Sequence, residues 1–289
     1  MKTILIPVDF SENSIVTCKY AIKIAGITNP TTLHFLHIYP DQLMIPDSSF
    51  PSGIDSDAFM NVQFIEELRL QSEHNMADLL KEVNVYLEEK RVNNITIRHT
   101  ITGGDLEWEI RNLVDNLKPD IIVMGTQGTG KKGFLEGSMA ESIMDHASVP
   151  VISVPANIQN CQISNILYAS NGSDKDYAKI KLLLALFKET RINISVVHLV
   201  LESKKDKGAA FISDLKEAFS LEKLSDQVRF YLVDAEDKYE ALETFVKHQQ
   251  IDIIAFISHK SNIFKSLFSQ KLSKKDFFKL ELPMLAMHE

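Results

Sequence analysis

An α/β architecture of two tandem, doubly wound parallel sheets is expected from the amino-acid sequence, on three grounds. Short, nearly continuous apolar runs alternate with amphipathic stretches, as in strands covered on both faces by helices. The 289-residue length suits two domains of ordinary size. The chain also repeats itself. Thr3 to Ser11 (TILIPVDFS) matches Asn165 to Ser173 (NILYASNGS) at an offset of 162 residues, and Leu33 to Ile38 matches Ile194 to Leu199 at 161. Asp120 to Met124 matches Asp252 to Phe256 at 132, and Pro150 to Val154 matches Pro283 to Met287 at 133. The second copy is therefore about 30 residues shorter between its second and fourth strands. A short polar connection, Ala156 to Gln162, divides the chain into expected domains 1–156 and 163–289.

In the first copy, strands are expected near residues 3–8, 32–38, 95–101, 120–124 and 150–154. Ser11 is placed to cap the helix after the first strand, and Gly26 to end it. A Pro/Ser-rich loop, Pro40 to Gly53, precedes a helix from about Asp57 to Glu89. On it Phe64, Leu68, Met76, Leu79, Leu80, Val83 and Leu87 recur at helical spacing. Asp105 can cap a helix running to Leu117, which Pro119 stops. Such βαβ units cross over right-handed and build an open sheet.

Composition narrows the function. A net charge of −8 argues against non-specific nucleic-acid binding, which needs a basic face. No stretch approaches the ~20 apolar residues of a membrane span, and no secretory signal is visible, so a cytoplasmic protein is expected. Cys18 and Cys161 read as small buried hydrophobes in a reducing compartment. The histidines lack metal-site spacing; His37 and His198, at matched strand positions, read as packed or capping residues. Glu66-Glu67 and Glu88-Glu89 read as solvated helix faces, and Trp108 as a core or interface residue.

The chemistry is expected after the fourth strand, because ligands of open α/β sheets bind beyond the carboxyl ends of strands where strand order reverses. There the chain reads GTQGTGKKGFLEGS, Gly125 to Ser138. Glycines let backbone N–H groups approach an anion closely, and a helix beginning after Ser138 adds unpaired N–H groups and a partial positive charge. Read alone, the loop is either a phosphate cradle or an ordinary glycine-rich turn into a capped helix. Gly125 to Lys131 nearly spells a Walker A loop. Position 132 is lysine, however, so the hydroxyl that would hold Mg²⁺ is absent.

These residues resemble the universal stress protein family. The resemblance rests on Ile4-Leu5-Ile6-Pro7-Val8-Asp9-Phe10-Ser11, Val123-Met124-Gly125-Thr126-Gln127-Gly128, Gly137-Ser138 and Ser148-Val149-Pro150-Val151. It is specific in the first copy and faint in the second. It implies a Rossmann-like, adenine-nucleotide α-hydrolase-like fold and a site for ATP, with or without Mg²⁺, in the N-terminal domain. By position, Pro7, Val8 and Asp9 would flank the nucleoside, and Ile38 would pack on adenine. Met124 and Gly125 would line the ribose side; Gly128, Gly137, Ser138 and the backbone of Met139 would hold phosphates, with Lys131 and Lys132 nearby. ATP-binding members place nine residues between the last two glycines of the motif; here Gly128 and Gly137 enclose eight.

The second copy departs at each matched position. Pro7 corresponds to Ala169, Asp9 to Asn171, and Gly125 and Gly128 to Ser258 and Ser261, so no nucleotide is expected there. The resemblance further implies that the last strands, Val151 to Val154 and Met284 to Met287, pair inside one chain as an intramolecular pseudo-dimer; a homodimer through other surfaces stays open. Three functions remain: an adenine-nucleotide-binding stress or signalling protein without strong catalysis, a nucleotide-free scaffold, or an ATP-hydrolysing enzyme. No nucleophile–base–orienter set argues for the last.

Overall fold

The computed structural model describes residues 1–41, 54–126, 139–158, 161–170, 172–200, 205–224, 226–234, 238–258 and 280–288. The leading half runs β1 (Lys2–Pro7), α1 (Glu12–Ala25), β2 (Thr31–Tyr39), α2 (Ile54–Glu89), β3 (Ile95–Gly103), α3 (Leu106–Leu117), β4 (Ile121–Gly125), α4 (Met139–His146), β5 (Val151–Val154). The trailing half runs β6 (Asn165–Ser170), α5 (Asp176–Leu186), β7 (Asn193–Val200), α6 (Lys205–Leu221), β8 (Val228–Asp234), α7 (Lys238–His248), β9 (Ile253–Ser258), β10 (Met284–His288). The shorter trailing repeat is explained largely by its second helix: α2 has 36 residues where α6 has 17.

All ten strands join one sheet in the order β3-β2-β1-β4-β5-β10-β9-β6-β7-β8. Neighbours are parallel except at the centre, where β5 and β10 run antiparallel with Val151, Ile152 and Ser153 opposite Ala286, Leu285 and Met284. The pairing of the last strands is thus as expected. It covers an apolar edge that would otherwise invite aggregation. Each half winds helices on both faces. One apolar layer joins Ile4, Ile6, Leu33 and Phe35 to α1, α2, α5 and α6; the other joins Leu5, Ile122 and Met124 to α3, α4 and α7. Each fully buried Ile or Leu here stabilises by about 1.5–3 kcal/mol.

Local rules explain the helix ends. Asp105 accepts the N–H of Trp108 at 2.9 Å, and Lys118 closes α3 in a left-handed conformation before Pro119. Gly26 ends α1 at φ +77°, a conformation that costs glycine little. Two expectations need correction. Ser11 occupies the N-cap position, but its hydroxyl donates to Asp9 and accepts no helix N–H. Trp108 is 61% exposed on the first turn of α3, outside both apolar layers, which overturns the core alternative and not the interface one. Cys18 is buried, with its thiol pushed far above the usual range by desolvation.

Candidate functional site

Strand order in the leading half reverses between β1 and β4: β2 and β3 extend to one side, β5 to the other. The two strands are paired in parallel at Ile4–Ile121 and Leu5–Ile122, so their carboxyl ends, Pro7 and Met124–Gly125, open on one edge of the sheet. This is where a crevice forms in such sheets. The structure therefore brings Pro7, Val8, Asp9, Ile38, Met124 and Gly125 to that edge. Val8 donates its N–H to Leu36 O at 2.8 Å, and Met124 is buried beneath it all. Ile38 and Gly125 are half-buried. Thr126 donates its N–H to Val154 O at 3.0 Å, holding the exit of β4 against β5. Helix α4 begins at Met139, as the sequence suggests; Gly128, Gly137 and Ser138, with Lys131 and Lys132, lie outside the described residues.

The turn from β1 into α1 is tightly made. Phe10 adopts φ +59°, which L side chains rarely do. Asp9 Oδ1 accepts three bonds: from Ser11 N–H at 3.1 Å, Ser11 Oγ at 2.7 Å and Ser14 Oγ at 3.2 Å. The carboxylate thus sits at the N-terminus of α1, where negative charge is favoured. His37 donates Nδ1–H to Val8 O at 2.8 Å, and its ring lies 4.2 Å from that of Phe10. Desolvation holds the His37 pKa below 6.5, outweighing the Val8 carbonyl and Asp9, so the imidazole is neutral near pH 7. His37 thus clasps β2 to the end of β1, consistent with the packed or capping role expected from its matched position.

The trailing half closes the corresponding edge. His198 repeats the clasp on Ser170 O at 3.1 Å. Beneath it, the fully buried Asp176 accepts from Tyr168 Oη and Ser170 Oγ, both at 2.6 Å. By the repeat offset of 162 these three residues stand at Ser14, Ile6 and Val8 of the leading half. The carboxylate has moved from the loop onto the helix and into the core. Desolvation by burial raises its pKa, against the two hydroxyl bonds. Strand register also corrects one equivalence. Gly125 lies beside Val154, and Ile257 beside Met287, so the counterpart of Gly125 is Ile257 and that of Thr126 is Ser258. A buried, branched side chain replaces the glycine. Ser258 Oγ bonds Asp145 Oδ1 of α4 at 3.3 Å, across the two halves. Asn171 and Ser261 lie outside the described residues.

Sequence reasoning missed the Asp9 cage and the Asp176 network. The signals were present as serines spaced after Asp9 and as a lone acid opening α5, but each needs a register that only the folded chain supplies.

Comparison with known proteins decides the family. The profile of the Universal stress protein family matches residues 1–155. The chain belongs to the universal stress protein family. A universal stress protein of Methanocaldococcus jannaschii is 33% identical over 154 residues, which cover 53% of this chain and 81% of that protein. Universal stress protein G of Escherichia coli O157:H7 is 22% identical over 158 residues, covering 53% of this chain and 98% of that one. The fold extends further than these matches. The crystal structure of a universal stress protein from Archaeoglobus fulgidus superposes with a TM-score of 0.64 at 18% identity, covering 99% of this chain and 96% of that one. The shared α/β fold therefore runs through the trailing half as well. No helix among the described residues is long and apolar enough to cross a membrane.

Proposed function

We propose that this universal stress protein binds one adenine nucleotide, ATP with or without Mg²⁺, at the β1–β4 edge of its leading half, and acts in a cytoplasmic stress response or signal without strong catalysis. In this reading the chain is two domains, 1–156 and 163–289, and the trailing domain is a non-binding partner in an intrachain pseudo-dimer. The observation that carries it is the contrast of the two edges. The leading edge presents Asp9 on the turn beyond the sheet and a glycine at the end of β4, whereas the trailing edge has Ile257 at that place and a buried acid.

The residues fit the ligand. Ile38 would offer apolar surface for a base beside the Val8 backbone, Asp9 a carboxylate for its polar edge, and Gly125 a backbone open to a ribose. Gly128, Gly137, Ser138 and the first N–H groups of α4 would take the phosphates. When bound, the nucleotide supplies the signal; the chain's part is to hold and report it.

The test is to denature the purified protein, identify any released nucleotide, and titrate ATP by calorimetry against Gly128→Val and Gly137→Val. One nucleotide per chain, lost in both variants, is expected. Protein that ignores millimolar ATP would favour the scaffold reading, for which the eight-residue spacing between Gly128 and Gly137 is the motive.

A further inference from the structure

At the edge of the sheet opposite the leading crevice, the C-terminal ends of α1 and α5 come together across the centre of the molecule. Lys2 Nζ donates to Ile24 O at 2.9 Å and to Leu186 O at 2.6 Å. These two carbonyls are equivalent under the repeat, being 162 residues apart. Each closes a helix whose C-terminus carries partial negative charge, so their approach calls for a cation between them. One lysine serves both. The residue equivalent to Lys2 is Ser164, which is half-buried and supplies no charge.

The opposite charge is equally one-sided. Glu189, just beyond α5, accepts N–H bonds from Thr28 and Asn29 at 2.9 Å each, and a further bond from Asn29 Nδ2. Its equivalent in the leading half is Ile27, which is 78% exposed. Gly26 makes the approach possible: a Cβ there would stand 2.5 Å from Glu189 Oε2. Asn94 Nδ2 braces the same turn through Gly26 O at 3.2 Å and Asn29 O at 2.7 Å.

We propose that this junction is a one-sided electrostatic clasp that makes the leading copy's pairing surface selective for the trailing copy over a second copy of itself. Two leading copies meeting the same way would crowd two Lys2 ammonium groups between two helix ends and offer no Glu189. Two trailing copies would leave both helix ends without a cation. The β5–β10 pairing alone does not discriminate, since each strand is an apolar run; the clasp adds the repulsive element that specificity requires.

Moving the cation tests this in the full-length chain. In Lys2→Ser, amide hydrogen exchange at Thr28 and Asn29 should quicken about tenfold or more, because the junction opens locally without global unfolding. Adding Ser164→Lys to Lys2→Ser should bring exchange back to within about threefold of the parent, because the acceptors are equivalent. Ser164→Lys alone, with two cations, should quicken it. Glu189→Gln should quicken it without Lys2 being touched. Exchange unchanged in Lys2→Ser and Glu189→Gln, or no recovery in a double variant whose circular dichroism is that of the parent, would overturn the proposal.

Discussion

The two halves of this chain share strand order, helix placement and a histidine clasp, yet they place their carboxylates differently. In the leading half Asp9 sits on the turn, partly open, and gathers three bonds from Ser11 and Ser14 at Oδ1. In the trailing half Asp176 has withdrawn below the surface and satisfies Tyr168 and Ser170. The first arrangement keeps an acid at the crevice. The second uses the acid to knit strand to helix, and Ile257 covers the place where a glycine would leave backbone open. A doubled fold can thus keep an acid at one sheet edge and bury an acid beneath the other with few changes of residue.

The sharpest break of this contrast is Asp176→Ala. It leaves two buried hydroxyls without their acceptor and should lower unfolding free energy by about 2–4 kcal/mol, read from urea denaturation. Asp176→Asn should cost about 1 kcal/mol or less, because burial already favours the uncharged form and an amide oxygen still accepts. Asp9→Ala should cost about 1–2 kcal/mol, less than Asp176→Ala, since its partners can turn to water. It should also weaken ATP binding, whereas Asp176→Asn should leave binding unchanged.

Much of this was legible in the sequence. The repeat offsets marked two copies of one strand pattern, the resemblance to the family implied the central pairing of last strands, and Val-, Ile- and Leu-rich runs marked each leading strand to within two residues. Gly125 could be placed because a glycine-rich loop after a strand carries its own backbone rules, whereas Pro7 and Asp9 were placed by the resemblance to the family. The counterpart of Gly125 was misplaced at Ser258 by one residue: the 132-residue offset of Asp120 to Met124 already points to Ile257, and the pairing of Ile257 with Met287 fixes it there. Trp108 misled because a large aromatic on an amphipathic helix usually packs inward, while here it sits on the first turn beside the Asp105 cap. Lys2 gave no signal, for its partners are carbonyls contributed by distant helix ends.

Smaller effects sharpen the comparison through pH. Burial lowers the pKa values of His34 and His37 below 6.5, so the unfolded chain takes up protons first as pH falls. Stability should therefore decline as pH drops through 6.5, and His37→Gln should flatten that decline. Lys2 acts in the same direction at higher pH. Desolvation lowers it to about 8, against Asp120 and Glu189, so between about 8 and 10.5 the unfolded chain holds the extra proton and stability should rise with pH. Lys2→Met should abolish that rise in thermal unfolding. The smallest change expected is Trp108→Ala, within about 0.5 kcal/mol.

The antiparallel centre of the sheet has a consequence for how the chain is made. Ser153 on β5 meets Met284 on β10, 131 residues later. At about 5–20 residues per second, a ribosome needs roughly 7–26 s to deliver the partner strand. Throughout that interval the nascent leading half, otherwise complete, presents Val151 to Val154 as an unzipped border. Polysomes carrying many such chains hold identical borders close together, which is the circumstance in which unpaired edges pair wrongly.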